Sequence, residues 1–171
     1  MRTILIIGAG RSASSLIQYL LNKSVSEELH LIIGDLSLDL ATKKTNNHPN
    51  ATPIALDIFD ENQRRNAIQK ANIVISMLPA HLHIEVARDC VVYKKHLVTA
   101  SYISDAMQEL DEVAKANNLI FMNEIGLDPG IDHMSAMKVI DEIREQGGKM
   151  LLFESFCGGL VAPESDNNLW N

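Results

Sequence analysis

"ILIIGAGRSAS", residues 4–14, runs four aliphatic residues into two glycines one residue apart, then into a small polar stretch. An apolar run without alternation suits a strand buried on both faces of a parallel sheet. Gly8 then permits a tight turn out of that strand, and Gly10, lacking a side chain, lets a pyrophosphate approach the backbone. The small residue Ala13 lets the following helix pack close to the strand. That helix starts by pointing free N–H groups and the positive end of its dipole at the phosphates. The pattern G-x-G-x-x-A means little alone, but here it follows a strand and opens a helix, the context that the motif requires. Ser12, Ser14 and Ser15 add hydroxyls beside it, and Arg11 adds a cation.

Working outward, short β-rich runs alternate with amphipathic segments. The runs are Thr3–Ile7, Leu29–Gly34, Thr52–Leu56, Asn72–Ser76, His96–Thr99 and Leu119–Met122. Helical patterns lie near 11–22, 37–46, 60–70, 81–92 and 104–117. Strand–helix alternation with short connections predicts a doubly wound parallel α/β sheet of the Rossmann, NAD(P)-binding kind. The bulk numbers agree: 171 residues, 46% hydrophobic, two cysteines and a formal net charge of −7. The acidic balance argues against nucleic acid or an anionic membrane as partner. Two cysteines make no disulfide framework, and a cytoplasmic, reduced protein with a small-molecule substrate is the expectation.

Further cofactor-binding candidates follow from this frame. Asp35, at the end of "LIIGD", stands where such folds place the acid that grips the adenosine ribose hydroxyls. A turn residue capping the next helix is the alternative. A carboxylate facing a 2′-phosphate about 4 Å away costs about 4 kcal/mol at an effective dielectric of about 20, which favours NAD. Arg11 keeps NADP open, because a guanidinium there accepts a phosphate. Asp57 either reaches the adenine or opens a turn. Ser76, Leu78 and Pro79 of "ISMLP" fall at the carboxyl edge of the sheet, beside the nicotinamide ribose. His81, His83 and Glu85 invite a metal, but residues two apart on a helix diverge, so no metal site is expected. Cys90 sits at core spacing.

After Met122 the texture changes. A helix is predicted from about Pro129 to Gln146, with Asp128 as its N-cap and proline at its first position. "LLFESF" (151–156) reads as a strand, and the rest is turn-rich with Trp170 next to the end, as expected of a portion of a longer chain. The division expected is 1–128 for a dinucleotide-binding domain and 129–171 for a helix and strand leading into a second domain.

Three more stretches are distinctive: "HLVTASYIS" (96–104), "NEIGLDPGIDHMSAM" (123–137) and "FESFCGGLVAPESDN" (153–167). With "GAGRSA" and "SMLP", they closely resemble the saccharopine dehydrogenase family, nearest its glutamate-forming reductases of lysine metabolism. The resemblance implies an oxidoreductase with a dinucleotide-binding domain, a substrate and dimerisation domain, and a homodimer for the full-length protein. It also implies the chemistry. A hydride leaves the carbon beside saccharopine's secondary amine for NAD(P), water adds to the imine, and glutamate and 2-aminoadipate semialdehyde separate. By motif match, Ser101 and Tyr102 resemble the family's substrate-contacting Ser-Tyr. Asp128 resembles its active-site aspartate and Cys157 its pocket cysteine. Asp128, Tyr102 and Cys157 are therefore the catalytic candidates, and Ser101, Tyr102 and Asp128 the substrate-binding ones. The carboxylate-binding arginines are expected outside this chain, whose isolated turnover is expected to be negligible. A carboxynorspermidine-type dehydrogenase and a non-catalytic dinucleotide-binding module remain the alternatives.

Overall fold

The computed structural model describes residues 1–158. Six parallel strands, β1 (Arg2–Ile7), β2 (Leu29–Asp35), β3 (Ala51–Ala55), β4 (Ile73–Ser76), β5 (His96–Thr99) and β6 (Phe121–Met122), form one sheet in the order β3-β2-β1-β4-β5-β6. This is the doubly wound order, in which the chain changes direction between β1 and β4. β1 pairs Ile7 with Gly34 on one side and with Ser76 on the other, so the ends of these strands lie level. Pro53, unable to donate to a ladder, is tolerated because β3 is an edge strand.

The unalternated apolar runs are explained by burial on both faces. Leu5 and Ile7 join Leu56, Ile68, Val74, Val86, Cys90 and Leu97 in one core cluster. Ile4 and Ile6 point the other way, into a second cluster with Ala13, Ile17, Leu21, Leu31, Ile33 and Ala41. Each fully buried aliphatic side chain contributes roughly 1.5–3 kcal/mol. Helices α1 (Ser14–Lys23) and α2 (Leu38–Thr45) supply Ile17, Leu21 and Ala41 to the second cluster. Helices α3 (Glu61–Gln69) and α4 (His83–Val92) supply Ala67, Ile68, Val86 and Cys90 to the first. Burial pushes the Cys90 thiol up to about 12, which suits a small hydrophobe rather than a nucleophile.

Local capping explains the starts of α2 and α3. The Ser37 hydroxyl accepts from Leu40 N, and the Asp60 carboxylate accepts from Asn62 N and Gln63 N. The segment 104–117, expected as one helix, is two: α5 (Asp105–Gln108) and α6 (Asp111–Ala116). Leu110 N returns to Met107 O, a tightened turn that separates the two helices, and both Met107 and Leu110 pack on the core.

The chain divides into two compact units, Met1–Gly130 and Ile131–Asn171. The second contains α7 (Ile131–Glu145), which begins two residues later than predicted. The strand expected at "LLFESF" is not formed, and residues 151–156 are exposed. Strand propensity alone cannot hold a strand that lacks a ladder partner. "APESDN" (162–167) and Trp170 lie outside the described residues.

One buried ion pair ties α3 to α4. Arg64 Nε donates to Asp89 Oδ2 at 2.7 Å and its Nη1 to Ile58 O at 2.6 Å, with both side chains buried. Arg65 Nε reaches the other oxygen of Asp89 at 3.1 Å. Removing the carboxylate strands a buried guanidinium, so Asp89→Ala should cost roughly 3–5 kcal/mol of stability in chemical denaturation. A loss below about 1 kcal/mol would mean that the pair is solvated.

Candidate functional site

The bend after β1 is built as its glycines require. Gly8 has a φ of +103°, and a Cβ there would stand 2.9 Å from the Met77 carbonyl oxygen that follows β4. A Cβ at Gly10 would instead meet nothing within 4 Å, because it faces open space. Unlike α2, α3 and α5, helix α1 has no side-chain cap: Ala13 occupies its N-cap position. No described residue accepts a hydrogen bond from the N–H of Gly10, Arg11 or Ser12, and all three residues are exposed. Unpaired amides at an uncapped helix end, over an open glycine, form an anion cradle. These residues fit a dinucleotide pyrophosphate. The Ser14 hydroxyl is not part of the cradle, since it accepts from Lys44 Nζ.

Asp35, expected at the ribose or in a turn, bonds to the backbone of two loops. Its Oδ2 accepts from Ala9 N at 2.8 Å and its Oδ1 from Ser37 N at 2.9 Å. The carboxylate thus bridges the glycine bend to the turn after β2, while Ser37 caps α2. Beside it, a cleft of about 240 Å³ is lined by Gly8, Asp35, Leu36, Asp57, Phe59 and Leu78, among others. It opens at the switch point of the sheet, where a flat apolar ring such as adenine would lie. Asp57 contributes to its wall and uses Oδ1 to accept from Phe59 N at 2.9 Å, opening the turn before α3.

At the carboxyl ends of β4 and β5 stands a residue that sequence reasoning weighed only as a metal ligand. His83, buried at the start of α4, has Nδ1 2.8 Å from the Ser76 hydroxyl and Nε2 2.8 Å from the Ser101 hydroxyl. Burial, and to a lesser extent the neighbouring His81, hold this imidazole below the ordinary histidine range. Ser76 lies where expected at the end of β4, but its hydroxyl is fully buried against His83. Leu78 and Pro79 follow it to the edge, Leu78 half-buried and Pro79 exposed. A serine ending one strand and a histidine opening the next helix was the available signal, but pairing it with Ser101 required the adjacency of β4 and β5.

Beyond β5, the GLDPG segment is a closed turn. Gly126 N donates to Pro129 O at 2.8 Å, and the two end glycines form a bridge. A Cβ at Gly130, whose φ is +146°, would stand 2.3 Å from Gly126 O. The turn presents Asp128, whose Oδ1 accepts from the Tyr102 hydroxyl at 2.5 Å, both residues being exposed. Asp128 is therefore not the cap of α7, which starts three residues after it. Tyr102, Asp128 and Ser101 lie at the same carboxyl edge as the glycine bend, since all strands run parallel. Cys157 is exposed and belongs to the second unit.

Residues 4–122 match the saccharopine dehydrogenase NADP binding domain family, and residues 126–171 match the saccharopine dehydrogenase C-terminal domain family. The chain is 39% identical over 98% of its length to a saccharopine dehydrogenase [NADP(+), L-glutamate-forming] from Pyricularia oryzae, of which it covers 36%. A protein of the same description from Schizosaccharomyces pombe is 40% identical over 98% of this chain, which covers 37% of it. The solved apo saccharopine dehydrogenase (L-Glu forming) of Saccharomyces cerevisiae superimposes with a TM-score of 0.82 at 35% identity. That match covers 96% of this chain and 36% of the yeast chain. The chain thus spans little more than a third of these relatives.

The cradle belongs to a nicotinamide dinucleotide-binding domain, but the expected preference for NAD is corrected. The matching family is one of NADP binding domains.

The two glycines of the bend should separate fold from binding. Gly8→Ala should destabilise the chain by roughly 1–3 kcal/mol through its forced φ and the Met77 contact. Gly10→Val should leave stability within about 0.5 kcal/mol. The same Gly10→Val chain should bind NADPH at least about tenfold more weakly in fluorescence titration, because its side chain enters the phosphate path.

Proposed function

The chain belongs to the saccharopine dehydrogenase family, and on that premise we propose that it is the cofactor-binding portion of an NADP-dependent saccharopine oxidoreductase. The observation that carries this reading is the placement of the Tyr102–Asp128 pair at the same sheet edge as the anion cradle. NADP⁺, when bound, supplies the hydride acceptor for the carbon beside the secondary amine. The chain's own groups do the rest. Amides of Gly10, Arg11 and Ser12 hold the pyrophosphate, and the cleft beside Asp35 and Asp57 takes the adenine. Tyr102 and Asp128 share a proton at the amine: the phenol passes its own proton to the carboxylate as it takes the one released when the amine becomes an imine. The pair returns that proton to the imine nitrogen and then takes one from the water that adds to the carbon. Ser101 and Tyr102 contact the substrate. Cys157 enters as a pocket residue by motif match, and the reaction needs no nucleophile from the protein. The products are glutamate and 2-aminoadipate semialdehyde.

The preference for NADP over NAD rests on the NADP-binding family and on Arg11. An exposed guanidinium in the bend supplies the positive charge that a 2′-phosphate needs and offsets the Asp35 carboxylate. Fluorescence titration should show NADPH binding about tenfold or more tighter than NADH, with Arg11→Ala closing most of that gap. Tighter NADH binding would overturn the assignment.

In the whole protein, Asp128→Asn should lower saccharopine oxidation about a hundredfold while leaving NADPH affinity unchanged. Undiminished turnover in that variant would remove the proton-transfer role.

A further inference from the structure

Among the described residues, the Ser76 hydroxyl is fully buried and its only polar neighbour is His83 Nδ1, at 2.8 Å. A buried hydroxyl proton without an acceptor is strongly disfavoured. The Ser76 O–H must therefore donate to Nδ1, which must be an unprotonated acceptor. A neutral imidazole carries one proton, so that proton sits on Nε2. From there it is donated to the Ser101 hydroxyl oxygen, 2.8 Å away. Ser101 thereby receives a hydrogen bond and keeps its own proton, for which no described residue offers an acceptor. Ser101 is only half-buried, so the proton has open space to point into.

We propose that His83 is a positioning residue: oriented by Ser76 and protonated on Nε2 alone, it turns Ser101 into a fixed hydrogen-bond donor to a ligand oxygen. The chain Ser76–His83–Ser101 runs from the buried end of β4 to the edge after β5, and every donor along it points outward. A flexible serine would rotate between donor and acceptor roles. This one is held as a donor, which suits an oxygen that only accepts: a substrate carboxylate or the carboxamide oxygen of the nicotinamide. The ligand side of this inference rests on the proposed function; the tautomer does not.

The test has two parts. In the unliganded chain labelled with ¹⁵N-histidine, long-range ¹⁵N–¹H correlation spectra at neutral pH should show His83 as the neutral Nε2–H tautomer. Its Nδ1 resonance should move toward the position of a free nitrogen in Ser76→Ala. An Nδ1–H tautomer or an imidazolium would overturn the proposal, whatever becomes of the saccharopine assignment. In the whole protein, His83→Leu should raise the KM for saccharopine about tenfold with kcat within about twofold, and His83→Gln, which keeps one acceptor and one donor, should recover most of that loss. Added to Ser101→Ala, His83→Leu should have no further effect, because it acts through that hydroxyl. If the ligand oxygen is instead the carboxamide, the same pattern appears in NADPH affinity and not in KM. Additive effects, or no rescue by glutamine, would reduce His83 to a packing residue. Should the leucine variant fail to fold, the tautomer spectrum of the unaltered chain still decides. An absence of saccharopine oxidation with the predicted tautomer in place would refute the substrate and leave the role of His83 intact.

Discussion

The close approach of Gly8 to the Met77 carbonyl oxygen governs the rest of the site. The chain leaves β1 with a positive φ, pressed against the backbone that leaves β4, and any side chain at that point would force the two apart. Because β1 and β4 flank the switch point, their separation sets the width of the cleft beneath the glycine bend. The Asp35 carboxylate holds the far side by joining Ala9 N to Ser37 N, so the bend is fixed to both neighbouring strands. A rigid bend can offer the amides of Gly10, Arg11 and Ser12 to a ligand without first ordering them, which spares binding the entropy of closing a loop.

The opposite half of the edge follows the same logic with different groups. The end of β4 carries a buried serine, the start of α4 a buried histidine, and the segment after β5 a second serine that reaches the surface. Next to them, Gly126 and Gly130 close a turn too tight for any side chain at either position and hold out Asp128 to Tyr102. Polar groups that would be costly to bury singly are linked in chains, and each chain ends on a group that faces outward. Arg64, Asp89 and Arg65 perform a purely structural version of this between α3 and α4.

Most of the fold was legible in the amino-acid order. Strands buried on two faces are apolar almost throughout, so β1 and β2 announced themselves. Errors arose where tertiary partners decide. The 104–117 helix broke at the tightened turn where Leu110 N returns to Met107 O, a backbone choice that its apolar spacing does not mark. "LLFESF" had strand composition and no partner. Asp128 before Pro129 had the residue types of a cap, but the turn closed by Gly126 and Gly130 delays α7 and turns the carboxylate to Tyr102 instead.

The order of residues by itself determined the doubly wound class, the location of the glycine bend and the membership of the family, because each is written in contiguous stretches whose chemistry is local. What only the tertiary structure decided is where the shared protons and charges go. Asp35 reads as a ribose ligand or a turn residue, and only the fold brings its two oxygens to backbone amides of separate loops. His83 stood beside His81 as one of a pair of divergent imidazoles, yet it joins two serines contributed by neighbouring strands. A hydrogen bond depends on distance and direction between atoms that the chain brings together only after the sheet has formed, and no spacing along a single segment encodes it.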